Sequence, residues 1–82
     1  IENQFRIVEV IGENTKIESN IFIGSNVKIG NNVQIMHNSY IGDNVVIGDN
    51  CIIYPNVTIY KETIIGKNVI IHSGTVIGSD GF

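Results

Sequence analysis

The sequence predicts an all-β protein that is wound as a parallel β-helix, and three observations carry that prediction. Isoleucine recurs at every sixth residue from Ile11 to Ile77, with no exception and no insertion. Six is a multiple of the strand period of two and does not match the 3.6-residue turn of an α-helix. Fixed six-residue self-similarity is typical of β-helix solenoids. The 82 residues include 18 Ile, 9 Val, 11 Asn and 9 Gly but no Leu, Ala or Trp, which favours short strands and tight turns.

Each six-residue unit, numbered from its isoleucine, predicts one short strand and one corner. The fourth position is Asn in nine units, from Asn14 to Asn68, and Asn tolerates the positive φ of a sharp corner. Glu62 does not fit this column. The first and fifth positions lie four residues apart, so in extended chain they point to one side, which we assign to the interior. Cys51 occupies a fifth position and is interpreted as a small buried hydrophobic residue rather than a reactive thiol.

A second period of 18 residues predicts three units per coil. The second position forms columns in steps of 18: one is Gly12, Gly30, Gly48 and Gly66, and another, without glycine, is Glu18, Met36, Tyr54 and His72. Residues 11–82 therefore predict four triangular 18-residue coils that are stabilised by stacking on their neighbours. Residues 1–10 are less regular, with Glu9 at an interior corner position, and predict a lead-in or an incomplete first coil.

The sixth position of each unit faces outward and becomes apolar toward the C-terminus. Its apolar members from residue 46 onward are Val46, Ile52, Ile64, Ile70, Val76 and Phe82. Contiguous exposed apolar surface usually marks an interface or a ligand groove, so this pattern predicts self-association. The last unit finishes on Phe82 with an unpaired strand edge, so we expect a fragment of a longer domain or an end that another molecule covers.

Composition and charge exclude several classes of function. The formal net charge is −3 and no basic patch is present, so the sequence gives no support for nucleic-acid binding. No apolar run is long enough to predict a transmembrane segment. A single cysteine cannot form an internal disulfide and fits a reducing compartment. The threonines form no flat ladder of the kind that ice binding by a β-helix requires.

The units have the form Ile-Gly-x-Asn-Val-x, which resembles the hexapeptide-repeat acyltransferases. That resemblance implies a left-handed β-helix and a homotrimer. Segments 51–60 and 71–82, the latter ending Ile-Gly-Ser-Asp-Gly-Phe, resemble the UDP-3-O-(3-hydroxyacyl)glucosamine N-acyltransferases of lipid A biosynthesis. This implies a bacterial cytoplasmic enzyme that moves a 3-hydroxyacyl group from acyl carrier protein to the 2-amine of a UDP-3-O-acylglucosamine. A histidine base and backbone N–H groups would perform the reaction without a metal or another cofactor.

The resemblance implies that no catalytic residue lies within this chain. In the family the catalytic unit, Ile-Ala-His-Asn-Val-Val, follows the segment that corresponds to residues 79–82. His37 is the alternative base, because Ile-Met-His-Asn at 35–38 is similar to that unit. It precedes the segment 79–82 by about two coils, however, whereas the catalytic unit of the family follows that segment. Gly81 breaks the fifth-position pattern, which is where function is expected. The residues that the resemblance assigns to substrate binding are His72, Ser79, Asp80 and Phe82.

Other interpretations of the histidines and tyrosines stay open. From the residues alone, His72 is a surface or interface side chain packed on Tyr54. His37 and His72 lie two coils apart, about 10 Å by the strand spacing, which is too far to share a zinc ion and disfavours a carbonic anhydrase of the same fold. The tyrosines are interpreted as subunit-packing residues, with stacking on a sugar or nucleotide as the alternative. The alternative functions are another hexapeptide-repeat acyl- or acetyltransferase and a non-catalytic trimerisation module.

Overall fold

The computed structural model describes residues 10–78 and folds them into twelve parallel two-residue strands. Each strand combines an outward sixth-position residue with the inward isoleucine that follows it. The strands are β1 Val10–Ile11, β2 Lys16–Ile17, β3 Phe22–Ile23, β4 Lys28–Ile29, β5 Gln34–Ile35, β6 Tyr40–Ile41, β7 Val46–Ile47, β8 Ile52–Ile53, β9 Thr58–Ile59, β10 Ile64–Ile65, β11 Ile70–Ile71 and β12 Val76–Ile77. The first strand begins one residue before the predicted start of the repeat, and the predicted lead-in otherwise lies outside the described residues.

Every third strand belongs to the same sheet, which confirms the predicted triangular coil. The first face contains β1, β4, β7 and β10, the second face β2, β5, β8 and β11, and the third face β3, β6, β9 and β12. Paired residues are 18 apart, as Ile29 and Ile47 show. The first corner comprises 12–15, 30–33, 48–51 and 66–69; the second comprises 18–21, 36–39, 54–57 and 72–75; the third comprises 24–27, 42–45, 60–63 and Gly78.

The corners turn where the asparagine column predicts. Residues Asn14 to Asn68 of that column have φ between 58° and 63°. Glu62 adopts the same conformation, with φ 65°, and Gly74 takes φ 81°. A glutamate in the left-handed region is uncommon, because its Cβ crowds the following carbonyl and its side chain lacks the local hydrogen bonds of Asn. The stacking of the coils therefore imposes the corner even where the residue type opposes it.

The core is a column of isoleucines with small side chains at the corners, as predicted. In the central coils the buried members are Val27, Ile29, Val33, Ile35, Ile41, Val45, Ile47, Cys51, Ile53, Val57 and Ile59. Cys51 has no exposed surface, and its thiol lies 3.1 Å from the Gly66 carbonyl oxygen, to which it donates. The interpretation of this residue as a buried structural side chain is confirmed.

Ser39 is a buried polar side chain at a fifth position, which is valine in five of the twelve units. Its hydroxyl donates to the Tyr54 carbonyl oxygen at 3.2 Å and accepts the Val57 N–H at 3.2 Å. Both partners lie in the next coil, on the same corner. The hydroxyl thus satisfies two backbone groups that the corner leaves outside the strand ladder. Thr15 makes the equivalent pair of contacts, to the Gly30 carbonyl and the Val33 N–H, on the first corner.

Two general features of residues 10–78 bear on function. The strands account for all regular elements there, and none of those residues forms a helix of the length and hydropathy needed to cross a membrane. The same residues contain no group of three or more His, Cys, Asp or Glu side chains placed to hold a metal ion.

Candidate functional site

The second corner carries both histidines of the chain, as predicted. Its second-position column lacks glycine, so side chains project along the whole edge of the prism. His37 and His72 both lie on this edge and both are exposed. One coil, with its second corner at residues 54–57, separates the coils that carry them. The structure therefore brings the two histidines to one edge in different coils.

A carboxylate from the preceding coil holds His37. Oε1 of Glu18 lies 3.2 Å from ring Nδ1 of His37 and accepts the backbone N–H of His37 at 3.0 Å. We assign the proton of this contact to Nδ1, because an ionised carboxylate can only accept hydrogen bonds; in the neutral ring Nε2 then presents its lone pair. Both side chains are about half exposed. The pair therefore orients an imidazole whose free nitrogen can take a proton from a bound molecule.

Tyr54 and His72 form a parallel stack on the same corner, with ring centroids 5.3 Å apart and planes inclined by 11°. This confirms the predicted packing of His72 on Tyr54. The stack leaves His72 exposed, and its predicted role in substrate binding stays a prediction. The other predicted binding residues, Ser79, Asp80 and Phe82, lie outside the described residues.

The third face carries an aromatic cluster at its edge. Phe22 and Tyr40, one coil apart, stack with centroids 4.9 Å apart and planes inclined by 12°. Tyr60 joins from the third corner of the next coil, with its centroid 6.3 Å from that of Tyr40 and its plane inclined by 57°. All three rings are exposed. Exposed aromatic rings in a cluster mark a contact surface for a ligand or another chain.

An open groove of about 230 Å³ lies beside this cluster. Its lining residues are Tyr40, Asp43, Tyr60, Lys61, Glu62 and Gly78. Oδ1 of Asp43 accepts the Ser25 N–H at 2.8 Å, and the Asp43 carbonyl accepts the Glu62 N–H at 2.8 Å. These contacts fix the polar wall of the groove between three successive coils. The groove and the Glu18–His37 pair lie on different corners, so they form two separate sites.

Part of these arrangements can be predicted from the spacing of the residues. Phe22 and Tyr40 are separated by one coil period, which places them side by side on one face. Glu18 and His37 are separated by 19 residues, one coil plus one residue, and their contact was not predicted. The sequence signal for this contact is a carboxylate at the second position of one unit and a histidine at the third position of the unit one coil later.

Three parallel sheets, an 18-residue coil and asparagine corners define a β-helix protein built from six-residue units. The chain belongs to the bacterial transferase hexapeptide (six repeats) family, whose pattern matches residues 10–43, 26–61 and 44–79. These matches together span 10–79, so nearly the whole chain is family sequence. No individual curated protein matches the chain significantly. Membership implies that the protein containing this chain is a transferase, and β-helices of this family commonly assemble as trimers.

Proposed function

We propose that this chain is the β-helix part of an acyltransferase that moves a 3-hydroxyacyl group from acyl carrier protein to the 2-amine of a UDP-3-O-acylglucosamine. The family match over residues 10–79 carries the transferase part of this proposal. The resemblance of segments 51–60 and 71–82 to the lipid A N-acyltransferases supports the particular substrates. In that setting the protein is a bacterial cytoplasmic homotrimer that needs no metal or other cofactor.

In this reaction the acceptor amine attacks the carbonyl carbon of the acyl thioester. A histidine removes the amine proton as the C–N bond forms, and backbone N–H groups stabilise the tetrahedral oxyanion. Collapse of that intermediate breaks the C–S bond, and the thiol of acyl carrier protein leaves with a proton. We assign the base to a unit that follows residue 82 in the longer protein, and we assign to this chain the scaffold and one wall of the site.

The homotrimer is supported by apolar surface on the last described coil. Ile64, Ile70 and Val76 are 76%, 54% and 57% exposed, one on each face. Burying such side chains between subunits is favourable, at about 25 cal/mol for each Å² of apolar surface. Two neighbouring β-helices would then enclose a cleft between a face of one and a corner of the other.

A second candidate places the base inside this chain, in another hexapeptide-repeat acyl- or acetyltransferase. The observation that favours it is the contact of Glu18 with ring Nδ1 of His37, which leaves Nε2 free to accept a proton. An amine or hydroxyl acceptor bound at the second corner would lose its proton to Nε2. This candidate and the first differ in the location of the base and can be separated by experiment.

The test is an N-acyl transfer assay with 3-hydroxyacyl carrier protein and UDP-3-O-acylglucosamine. The 82-residue chain and a longer chain that contains it are compared, each with the variant His37→Asn and the control Glu13→Ala, an exposed residue of the first corner. The first candidate expects activity in the longer chain alone, and expects that activity to survive His37→Asn. Activity of the short chain that is abolished by His37→Asn and retained by Glu13→Ala supports the second candidate. Inactivity of both chains with several acyl and acetyl donors indicates a non-catalytic trimerisation module.

A further inference from the structure

The unit that begins at Ile59 departs from the repeat at its second and fourth positions, and both departures line one groove. Tyr60 stands in a column that is otherwise glycine, at Gly24, Gly42 and Gly78. Glu62 stands in the column that is asparagine in nine units. Both side chains, with Lys61 between them, line the groove of the third corner. Local rules are broken mainly at functional sites, so this cluster of departures indicates a function for the groove.

The backbone keeps the conformation of the repeat at this unit although the residue types have changed. Glu62 holds φ 65°, which disfavours every side chain except those of Asn and Asp. The coils that carry Gly42 and Lys61 also lie close together: a Cβ on Gly42 would be 2.6 Å from the backbone nitrogen of Lys61. A left-handed glutamate is retained only when the surrounding structure imposes it. An asparagine would fit the backbone better, so the fold itself does not account for the carboxylate.

Two tyrosine rings form inclined apolar walls. Tyr40 is 41% exposed and Tyr60 is 42% exposed, and their planes meet at 57°. Phe22 stacks behind Tyr40 and holds that ring in place. The apolar face of a sugar ring packs on such a wall, because its C–H groups meet the negative face of the aromatic ring.

Polar groups also line the groove. Asp43 uses Oδ1 for the Ser25 N–H, and Oδ2 makes no hydrogen bond to any residue in 10–78. Glu62 supplies a second carboxylate and Lys61 an ammonium, so the lining carries two negative charges and one positive charge. Carboxylates accept hydrogen bonds from neighbouring hydroxyls, and the ammonium donates to a ring or hydroxyl oxygen. The excess negative charge disfavours phosphates, and therefore nucleotides.

We propose that this groove binds a single pyranose ring, neutral or amino-substituted. Its volume of about 230 Å³ is below the range of about 300–1,000 Å³ for drug-sized ligands, which suits one ring. Of the exposed aliphatic side chains of the last coil, Ile64 and Ile70 lie on the first and second faces, away from this cluster, and Val76 lies on the third face, two strands from Tyr40. The site lies on a different corner from His37, and the proposal does not rest on acyl transfer.

Backbone amide NMR titration of the 82-residue chain tests the proposal. Methyl glucoside, methyl glucosaminide and glucose 6-phosphate are the probes. A saturable Kd on the order of 1 mM is expected for the first two, in line with the ligand efficiency of small molecules. The shifts should centre on Tyr40, Asp43 and residues 60–62. The phosphorylated sugar should bind at least about tenfold more weakly, because its charge opposes that of the groove.

Two variants restore the repeat and therefore keep the fold. Glu62→Asn introduces the residue of the other corners and should unfold at no lower temperature than the wild type. It should nevertheless weaken binding about tenfold by removing a carboxylate acceptor. Tyr60→Gly introduces the residue of the same column in the other coils and should weaken binding about five- to tenfold. Tyr54→Ala, on the second corner, is the matched aromatic control and should bind as the wild type does.

Several outcomes overturn the proposal. Shifts that do not saturate, or that centre on the second corner, place no sugar in this groove. Equal sugar affinities of Glu62→Asn, Tyr60→Gly and the wild type would show that the assigned contacts do not contribute to binding. Amide shifts near Tyr40 and Tyr60 that change with protein concentration and not with sugar show that a second copy of the chain covers the groove. None of these outcomes depends on whether the longer protein transfers acyl groups.

Discussion

Oε1 of Glu18 contacts His37 at two points, 3.0 Å from its backbone nitrogen and 3.2 Å from ring Nδ1. A single oxygen thus links the main chain and the side chain of a residue in the next coil. Exposed ion pairs contribute at most about 1 kcal/mol to stability, so the consequence lies in orientation. The corner presents one imidazole nitrogen, Nε2, to whatever lies outside the prism.

Replacing Glu18 with alanine is expected to release the His37 ring. The neutral ring of the wild type should be the Nδ1–H tautomer, because only a donor can face the carboxylate. In the Glu18→Ala variant the ring nitrogen resonances should show a mixture of both tautomers. The measurement is ¹⁵N NMR at a pH where the imidazole is neutral. Glu13→Ala, which removes an exposed carboxylate from the first corner, is the control. An unchanged tautomer in Glu18→Ala would show that the contact does not orient the ring.

Replacing Gly42 with alanine should destabilise the fold. The added Cβ would lie 2.6 Å from the Lys61 nitrogen, and that backbone can shift only by disturbing the neighbouring coil. A loss of about 1–3 kcal/mol in the free energy of unfolding is expected. Gly66→Ala is the matched control, because no heavy atom of residues 10–78, apart from its chain neighbours, lies within 4 Å of its added Cβ. Urea unfolding measures both, and equal stabilities would contradict the close approach.

Replacing Ser39 with alanine removes a buried bridge between coils. The Tyr54 carbonyl and the Val57 N–H would lose their hydroxyl partner at a position where the serine is only 2% exposed. Leaving such groups unsatisfied costs about 1–3 kcal/mol. Ser19→Ala, at an exposed position of the same corner, should change stability by no more than about 0.5 kcal/mol. Thermal unfolding followed by circular dichroism compares the two, and a neutral Ser39→Ala would argue against the bridge.

Cys51 should resist thiol reagents in the folded chain. Its thiol has no exposed surface and donates to the Gly66 carbonyl. Modification by an aromatic disulfide reagent should therefore require opening of the coils, and its rate should rise steeply with urea through the unfolding transition. A Thr58→Cys, Cys51→Ser double variant, with the thiol on the outer surface of β9, should react at once. Rapid reaction of native Cys51 would contradict its burial.

The period of the sequence was sufficient to predict the faces, the coil length and the corners, because each depends on residue type repeated at fixed spacing. Glu62 shows why the predicted corners hold even where one residue does not fit the pattern. The neighbouring coils impose a left-handed corner conformation that glutamate itself disfavours. The stacking of His72 on Tyr54 was predictable for the same reason, since the two residues are one coil apart.

Contacts between different columns were not predictable from the period. Glu18 reaches a residue 19 positions away, and Tyr60 reaches Tyr40 from a different position of its unit. Both contacts depend on side-chain rotamers, which a repeat pattern does not specify. The groove at the third corner follows from such contacts. Its tyrosines and the irregular Glu62 could be picked out from the sequence, but their convergence with Asp43 and Lys61 on one groove could not.

The register of 18 residues between paired strands makes the length of this protein adjustable in whole steps. Deleting or duplicating 18 consecutive residues returns every remaining first-position isoleucine to the interior and every remaining corner to its column. Any change by an odd number of residues reverses the inward and outward sides of all the strands that follow. A gene of this kind can therefore lengthen by duplicating the sequence of one coil, because the copy keeps the register of the strands. Each added coil also adds three corners on which a binding groove can form.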